Sequence, residues 1–446
     1  MPKLRLVSNN TPVPEAESAK YTAAEQETIE AYQAVLAAGR YFKLYDATSP
    51  FPRIISGDNP EPLPLCFLSA DFGDFCKETG RRLPAKPPTD AYLASPLQTV
   101  TGRRFFPNGP ALIRAYRSRH RYVNTFRAFE PKCAAKELSP LFHEFMACLF
   151  PDTDERTTFI QYCAHMIQFP EVRPSWHVML LSETGTGKGF LFHDILSPLL
   201  CEQTALLKKY AELLGRFANA MEGTILVQLD DCKSKREDVQ TQMKSLMTEE
   251  RVLLEQKGLA AGMVATYTRF FLASNEEVPL ELDETERRWW IPLRLGYSNG
   301  LTGKQGRDDR QRLIKRLSKW LAEPGALEAI YDFFVTYPLD GFDVKCCPMT
   351  VTLQEQIEKS VTVEQAFAHE FIDRHTTKII KSEELIKALR DAGMGNPGNK
   401  AISGLFASCG YRSDTLESGG RKSRWWLPMW MKKAEAEAIL DTQPDF

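Results

Sequence analysis

Ten cysteines are scattered through the 446 residues, yet the chain lacks any C-x-x-C pair and any Cys/His spacing suited to zinc. That excludes a zinc-ribbon or zinc-finger module and leaves the thiols, Cys346-Cys347 included, to be read as reduced. Several serve as small buried hydrophobes, and the expected location is the cytoplasm. No apolar run approaches ~20 residues, which excludes a helical membrane span and predicts no membrane partner. The opening MPKLRLVSNN lacks the apolar core of a signal peptide. No internal repeat is evident. The net charge is only −2, so any nucleic-acid surface must be a local patch. With 43% hydrophobic and 26% charged residues the chain is globular, and its length suggests about three domains.

The most informative stretch is WHVMLLSETGTGKG, residues 176–189. An apolar run from Val178 to Leu181 predicts a buried strand, and FLFHDILSPLL after the glycines has helical spacing. Strand, Gly-rich turn, lysine and helix form the layout of a phosphate-binding loop. Gly185, Thr186, Gly187 and Gly189 let consecutive N–H groups face one anion, and Lys188 neutralises terminal phosphates. The loop departs from the usual pattern at both ends, with Ser182 first and Gly189 where a Ser/Thr hydroxyl ordinarily helps hold Mg²⁺. An ordinary strand–helix turn with an exposed lysine is the bland reading.

Downstream, TILVQLDD predicts a strand ending in Asp230 and Asp231. One such acid can hold Mg²⁺ and the other can orient or deprotonate water, although Asp-Asp also suits an ordinary turn. Residues 202–221 read as helix. RVLLEQKG followed by Gly262 predicts a β-hairpin carrying Lys257. The run Arg269–Ser274 predicts a buried strand delivering Asn275, whose amide can hold a lytic water or γ-phosphate, or merely cap a turn. Arg287 and Arg288 precede an aromatic strand whose Trp289 and Trp290 read as packing, and an arginine there can reach a neighbouring subunit's nucleotide.

Around this block, Tyr21–Arg40 reads as helix, 41–100 as irregular α+β, and 138–172 as two amphipathic helices. Residues 101–136 hold nine Lys/Arg interleaved with Phe105, Phe106, Tyr116, Tyr122 and Phe126. That composition suits a nucleic-acid backbone with stacked bases, and equally a solvated basic face over core aromatics. Helices near 363–375, 382–392 and 399–408, then strands 411–416 and 421–427, spell a winged helix-turn-helix for DNA or protein contact.

Taken together, SETGTGKG, ILVQLDD, LLEQKG and FFLASN, in order within one short block and followed by RRWW, resemble the superfamily 3 helicases. The likeness is to the poxvirus- and phage-type branch found in replicative primase-helicases, and it covers about 120–320. YVNTF at 122–126 adds to it. The resemblance implies an α/β fold with an AAA+ phosphate-loop ATPase core, an N-terminal α+β and helical region, and a C-terminal winged-helix-like domain. The expected boundaries are a tail at 1–20, an N-terminal domain at 21–137, a helical segment at 138–172, the core at 173–300, a helical lid and linker at 301–349, and the winged unit at 350–446.

It further implies an ATP- and Mg²⁺-dependent DNA helicase of phage, viral or plasmid replication, working as a hexamer that moves 3′ to 5′ on single-stranded and forked DNA. A primase or polymerase is an implied partner, and a bacterial host cytoplasm the implied location. By the same resemblance Lys188 binds phosphates, Asp230 holds Mg²⁺, Asp231 activates water and Asn275 senses the γ-phosphate. Arg287 or Arg288 acts in trans, and Lys257 grips DNA. The first 140 residues are too poor in paired Asp motifs for a primase or polymerase site. An AAA+ loader or remodeller, and a DNA-binding initiator with a vestigial nucleotide site, are the alternatives; intact Lys188, Asp230, Asp231 and Asn275 argue against the last.

Overall fold

The computed structural model describes residues 15–18, 20–45, 49, 51–57, 61–115, 119–214, 220–232, 237–254, 262–297, 302–360, 363–375, 377–418 and 420–442. Two compact units divide the chain, one of residues 1–279 with 287–350, the other of 280–286 with 351–446.

The first unit opens with a short helix, Glu15–Ser18, and then the helix Ala23–Ala38, started by a capping box in which the Thr22 side chain and Glu25 satisfy each other's backbone N–H. A four-stranded sheet follows in the order Leu63–Pro64, Arg53–Ser56, Tyr41–Leu44, Thr99–Val100. A three-stranded sheet then sets Arg121–Asn124 between Gly102–Arg104 and Leu112–Arg114. The basic and aromatic segment divides by residue. Phe105 and Phe126 pack against the main core, whereas Arg103, Arg104, Arg114, Arg119 and Arg121 are exposed. Tyr116 lies outside the described residues.

Helices Pro140–Leu149 and Thr153–Gln168 lead into a five-stranded parallel sheet. Its order is Trp289–Trp290, His177–Leu181, Arg269–Ser274, Leu226–Asp230, Thr204–Leu207. The three central strands are buried almost throughout, which is why they read as unbroken apolar runs and not as alternating ones. The polar members of these strands are His177, Gln228, Asp230, Ser274 and, least expected, Arg269. It is fully buried, and its guanidinium donates to the carbonyls of Phe169, Pro170, Val172 and Tyr267 at 2.6–3.3 Å. It thereby satisfies carbonyls where the preceding helix ends, groups that have no partner within the helix. Trp289 and Trp290 are buried, as packing residues should be.

Residues 202–221 differ from expectation. Thr204–Leu207 is an edge strand paired in parallel with Leu226–Leu229, and among the described residues helix is found over Tyr210–Leu214. Helices Gly303–Leu321 and Ala326–Thr336 complete the unit, and residues 338–347 pack back onto it through Trp176 Nε1 on the Asp343 carbonyl at 2.8 Å and Ser175 N on Val344 at 2.8 Å.

The second unit holds helices Val351–Ser360, Val363–Arg374, Ser382–Asp391 and Asn399–Ser408, the hairpin Tyr411–Ser418 with Arg421–Pro428, and the helix Lys433–Asp441. Ile380 adds a third antiparallel rung beside Trp426. Trp426 stacks on Phe406 at 4.7 Å, and Arg421, Lys422 and Arg424 are exposed on the hairpin.

Candidate functional site

The sheet order decides which side chains meet. Because Arg269–Ser274 lies between the loop strand and the acidic strand, Asn275 emerges between Lys188 and Asp231. The loop begins at fully buried Ser182 and turns through Gly185 at φ +79° and Gly187 at φ +109°. A Cβ on Gly187 would sit 2.8 Å from Phe145 and 3.2 Å from Ile314, so both backbone and packing require glycine there. A helix starts at Lys188, π-helical over Leu191–Leu196 and α-helical again over Ser197–Leu199.

Lys188, Ser182, Asn275 and Asp231 form one hydrogen-bonded chain. Lys188 Nζ donates to Ser182 Oγ and to Asn275 Oδ1, the latter at 3.2 Å. Ser182 Oγ also lies 3.3 Å from Asn275 Oδ1. On the other side, Asn275 N donates to Asp231 Oδ1 at 2.9 Å and Asn275 Nδ2 to Oδ2 at 3.2 Å. Asn275 is therefore oriented from both ends, its oxygen toward the ammonium and its NH₂ toward the carboxylate. Burial pushes the Lys188 ammonium down to about 8, although Asp231 and then Asp230 pull it back up.

Asp231 sits at φ +50°, a left-handed conformation that Asp tolerates better than most residues, while its N–H still bonds Ala273 O at 2.8 Å. Asp230, at the strand's end, is 3.2 Å from the ammonium of Lys208. Among the described residues no group of three metal-ligating side chains occurs. The donor set nevertheless fits Mg²⁺, which commonly takes one or two carboxylates and completes its shell with water and substrate phosphates. A Cβ built at Gly189 meets nothing within 4 Å, so no steric reason excludes a hydroxyl residue there.

The remaining expected residues lie elsewhere. Trp289 pairs with His177, and the Arg288 carbonyl accepts from His177 N at 2.7 Å. Arg287 and Arg288 are thus at the opposite end of the sheet from the loop, roughly 16 Å away along a five-residue strand. Lys257 falls outside the described residues.

Four residues that the motifs do not announce contact the loop. Arg294 donates to Ser182 O at 3.1 Å, Asn275 O at 2.7 Å and Glu276 O at 3.2 Å, and lies 3.7 Å from the Glu183 carboxylate. Tyr297 OH donates to Thr184 O. Arg310, only 2% exposed, donates to Thr186 O at 3.0 Å and Cys148 O at 2.9 Å. Arg307 lies against Gly185, its Cγ 3.2 Å from where a Cβ would be. Their only sequence signal is the basic amphipathic pattern of 303–320 and a nearby aromatic strand. A cavity of about 650 Å³ lies elsewhere, lined by Arg40, Phe42, Asn124, Arg127, Glu202 and Glu328 among others, and no loop residue borders it.

The architecture is a mixed α/β protein with a parallel sheet whose strand ends gather a lysine, an amide and two carboxylates. Residues 180–288 match a family described only as a family of unknown function, DUF5906. The DNA primase-polymerase of Nitratiruptor phage NrS-1 is 24% identical over 176 residues, 38% of this chain. That match spans 24% of the phage protein's own length. The solved apo structure of the NrS-1 C-terminal region superposes with a TM-score of 0.61 at 15% identity, covering 91% of this chain and all of that one. A second crystal form gives 0.59 over 89% and 99%. The fold is shared along nearly the whole chain. Among the described residues, no helix is long and apolar enough to cross a membrane.

Proposed function

We propose that this chain is the ATP-driven motor of a phage-type DNA replication apparatus, an AAA+ helicase of the superfamily 3 kind. The observation that carries this reading is the Lys188–Asn275–Asp231 chain at the ends of three adjacent parallel strands. A lysine at a Gly-rich helix start suits phosphates, an oriented amide suits a γ-phosphate or its attacking water, and two carboxylates suit a metal and a proton. The relationship to a phage primase-polymerase supports a role in DNA replication and a primase or polymerase partner. Three helices with a basic hairpin support the winged-helix reading of the second unit.

In this reading the loop N–H groups and Lys188 hold the β- and γ-phosphates of ATP. Asp230 is the side chain that would hold Mg²⁺, releasing Lys208 as it does so. Bound there, Mg²⁺ supplies charge neutralisation at the phosphates. Asp231 accepts the proton of the attacking water, which Asn275 orients. Arg287 or Arg288 completes the site of a neighbouring subunit, consistent with their distance from the site of their own chain. On this reading the protein works as a ring, expected to be a hexamer, with Lys257 on the DNA track and travel 3′ to 5′.

The test is displacement of a labelled strand from a forked duplex with a 3′ tail, with and without ATP. ATP-dependent displacement, lost in Lys188→Ala, is expected. ATP hydrolysis without displacement would move the protein to the loaders and remodellers. Full hydrolysis by a folded Lys188→Ala protein would remove the phosphate-loop assignment.

A further inference from the structure

The three-stranded sheet of the first unit carries a row of arginines that the motor does not use. Register sets Arg121 directly opposite Arg114, and Arg103 beside Val123, so Arg103 is the diagonal neighbour of Arg121 on the same face. That face also presents Leu112 and Val123 to a small core of Phe42, Leu44, Ile55 and Val100. The three arginines are exposed at its rim, and Arg119 is exposed just before the central strand. Like charges placed directly opposite in a sheet are destabilising. Arg114 and Arg121 therefore cost the free chain stability that a polyanion lying across them would return.

No acidic residue lies near the row in sequence. None of the chain's 58 acidic residues, and no lysine, falls between Ala91 and Phe129. The long cations here are all arginine, whose planar fork binds phosphate oxygens in pairs and is more weakly hydrated than an ammonium. On the reverse face the Arg104 guanidinium lies 4.0 Å over the Tyr122 ring, opposite Gly102.

We propose that Arg103, Arg121 and Arg114 form a binding track for the phosphate backbone of single-stranded DNA, separate from the motor hairpin. This rests on the DNA-acting part of the proposed function and not on its ATPase chemistry. The row crosses two inter-strand spacings, roughly 10 Å. That width follows one backbone, whereas the major groove of a duplex alone is about 12 Å across. The contacts are to phosphate, so binding on the track is indifferent to base sequence.

The test measures anisotropy of a fluorescent oligo-dT strand against salt, using the full chain without nucleotide. Each phosphate contact contributes about 0.7 to the log–log salt slope for a single strand. Arg103→Gln/Arg114→Gln/Arg121→Gln should therefore flatten the slope by about 2, and Arg114→Gln alone by about 0.7. The triple Arg→Lys protein, which keeps the charge, should retain the wild-type slope. The triple Gln protein should melt no lower than wild type, because opposed like charges have been removed. Basal ATP turnover without DNA should match wild type in every variant, so absence of turnover in the wild type would sink the motor reading while leaving this test intact. An unchanged salt slope in the folded Gln variants, weakening without a change of slope, or equal loss of binding to a blunt duplex would overturn the proposal.

Discussion

On the proposed function, a buried lysine with a lowered proton affinity makes nucleotide binding dependent on pH in a calculable way. Lys188 titrates at about 8 in the nucleotide-free site, mainly because burial disfavours its charge, with Arg294 adding like-charge repulsion. ATP brings negative phosphates to Nζ and raises that value again. At pH 8 half the free molecules carry a neutral Lys188, so binding should take up about half a proton, against about 0.1 at pH 7 and about 0.9 at pH 9. Affinity should fall about tenfold between pH 7 and pH 9 as the binding-competent form is depleted. Isothermal titration of a non-hydrolysed ATP analogue in two buffers of different ionisation heat reads the uptake directly. Lys188→Arg keeps its charge throughout this range and should remove the uptake even if it binds weakly. The same shift acts on folding with a defined sign. Because the folded value lies below the ordinary lysine value, the unfolded chain binds more protons between about pH 8 and 10.5. The nucleotide-free protein should therefore gain stability from this group as pH rises through that window. Zero proton uptake at pH 8 with a flat affinity from pH 7 to 9 would refute the coupling of Lys188 protonation to nucleotide binding.

Asp231→Asn should keep nucleotide and Mg²⁺ binding while turnover falls about 10²–10⁴-fold, since an amide takes up no proton; loss of binding instead would exchange the roles of Asp230 and Asp231. Arg294→Met removes the donor shared by Ser182, Asn275 and Glu276 carbonyls. It should lower kcat more than it raises KM, and wild-type kinetics would show that the loop and Asn275 need no such tie. Gly189→Ser enters open space at a helix start and should lower the Mg²⁺ concentration for half-maximal turnover, with a rise in melting temperature from replacing a helical glycine; an unchanged Mg²⁺ requirement would mean that the metal does not face this position. Arg287→Ala/Arg288→Ala protein mixed with Lys188→Ala protein should regain ATPase activity, because some interfaces then pair an intact loop with an intact arginine. No recovery in subunits shown to co-assemble would leave the arginines acting in cis or not at all.

What the sequence made legible follows from how a parallel sheet is built. Strands buried on both faces are short apolar runs, and they end where the chain must turn. Val178–Leu181, Leu226–Leu229 and Phe270–Ala273 could thus be read directly, each bounded by a turn-forming or polar residue. The edge strand Thr204–Leu207 could not. TALLKKYAELL has helical composition, and its first four residues extend only because Leu226–Leu229 supplies a parallel partner about twenty residues away. Pairing of that kind overrides local propensity and leaves no local mark. The same holds for residues 338–347, which dock through backbone carbonyls that any sequence would provide.

The site shows the same division, with a chemical reason. On the proposed function, the groups that face a phosphate must be particular residue types at particular spacing, so Gly187, Lys188, Asp231 and Asn275 are marked in sequence. A loop that turns its N–H groups toward an anion must turn carbonyls away from it, and those carbonyls need donors of their own. Thr184 O receives Tyr297 OH, Thr186 O receives Arg310, and Ser182 O receives Arg294. Each donor lies more than a hundred residues along the chain, and two of the three are cations used for geometry. Arg310 has become part of the floor, its charge held by three backbone carbonyls. The segment 294–310 is therefore coupled to the loop through the loop's own backbone. Any movement of the helix Gly303–Leu321 must either carry Thr186 with it or break a buried charged hydrogen bond, at a cost of about 1.5–3 kcal/mol. That coupling gives the Gly-rich loop a mechanical connection to the following helix that needs no change in the motif residues themselves.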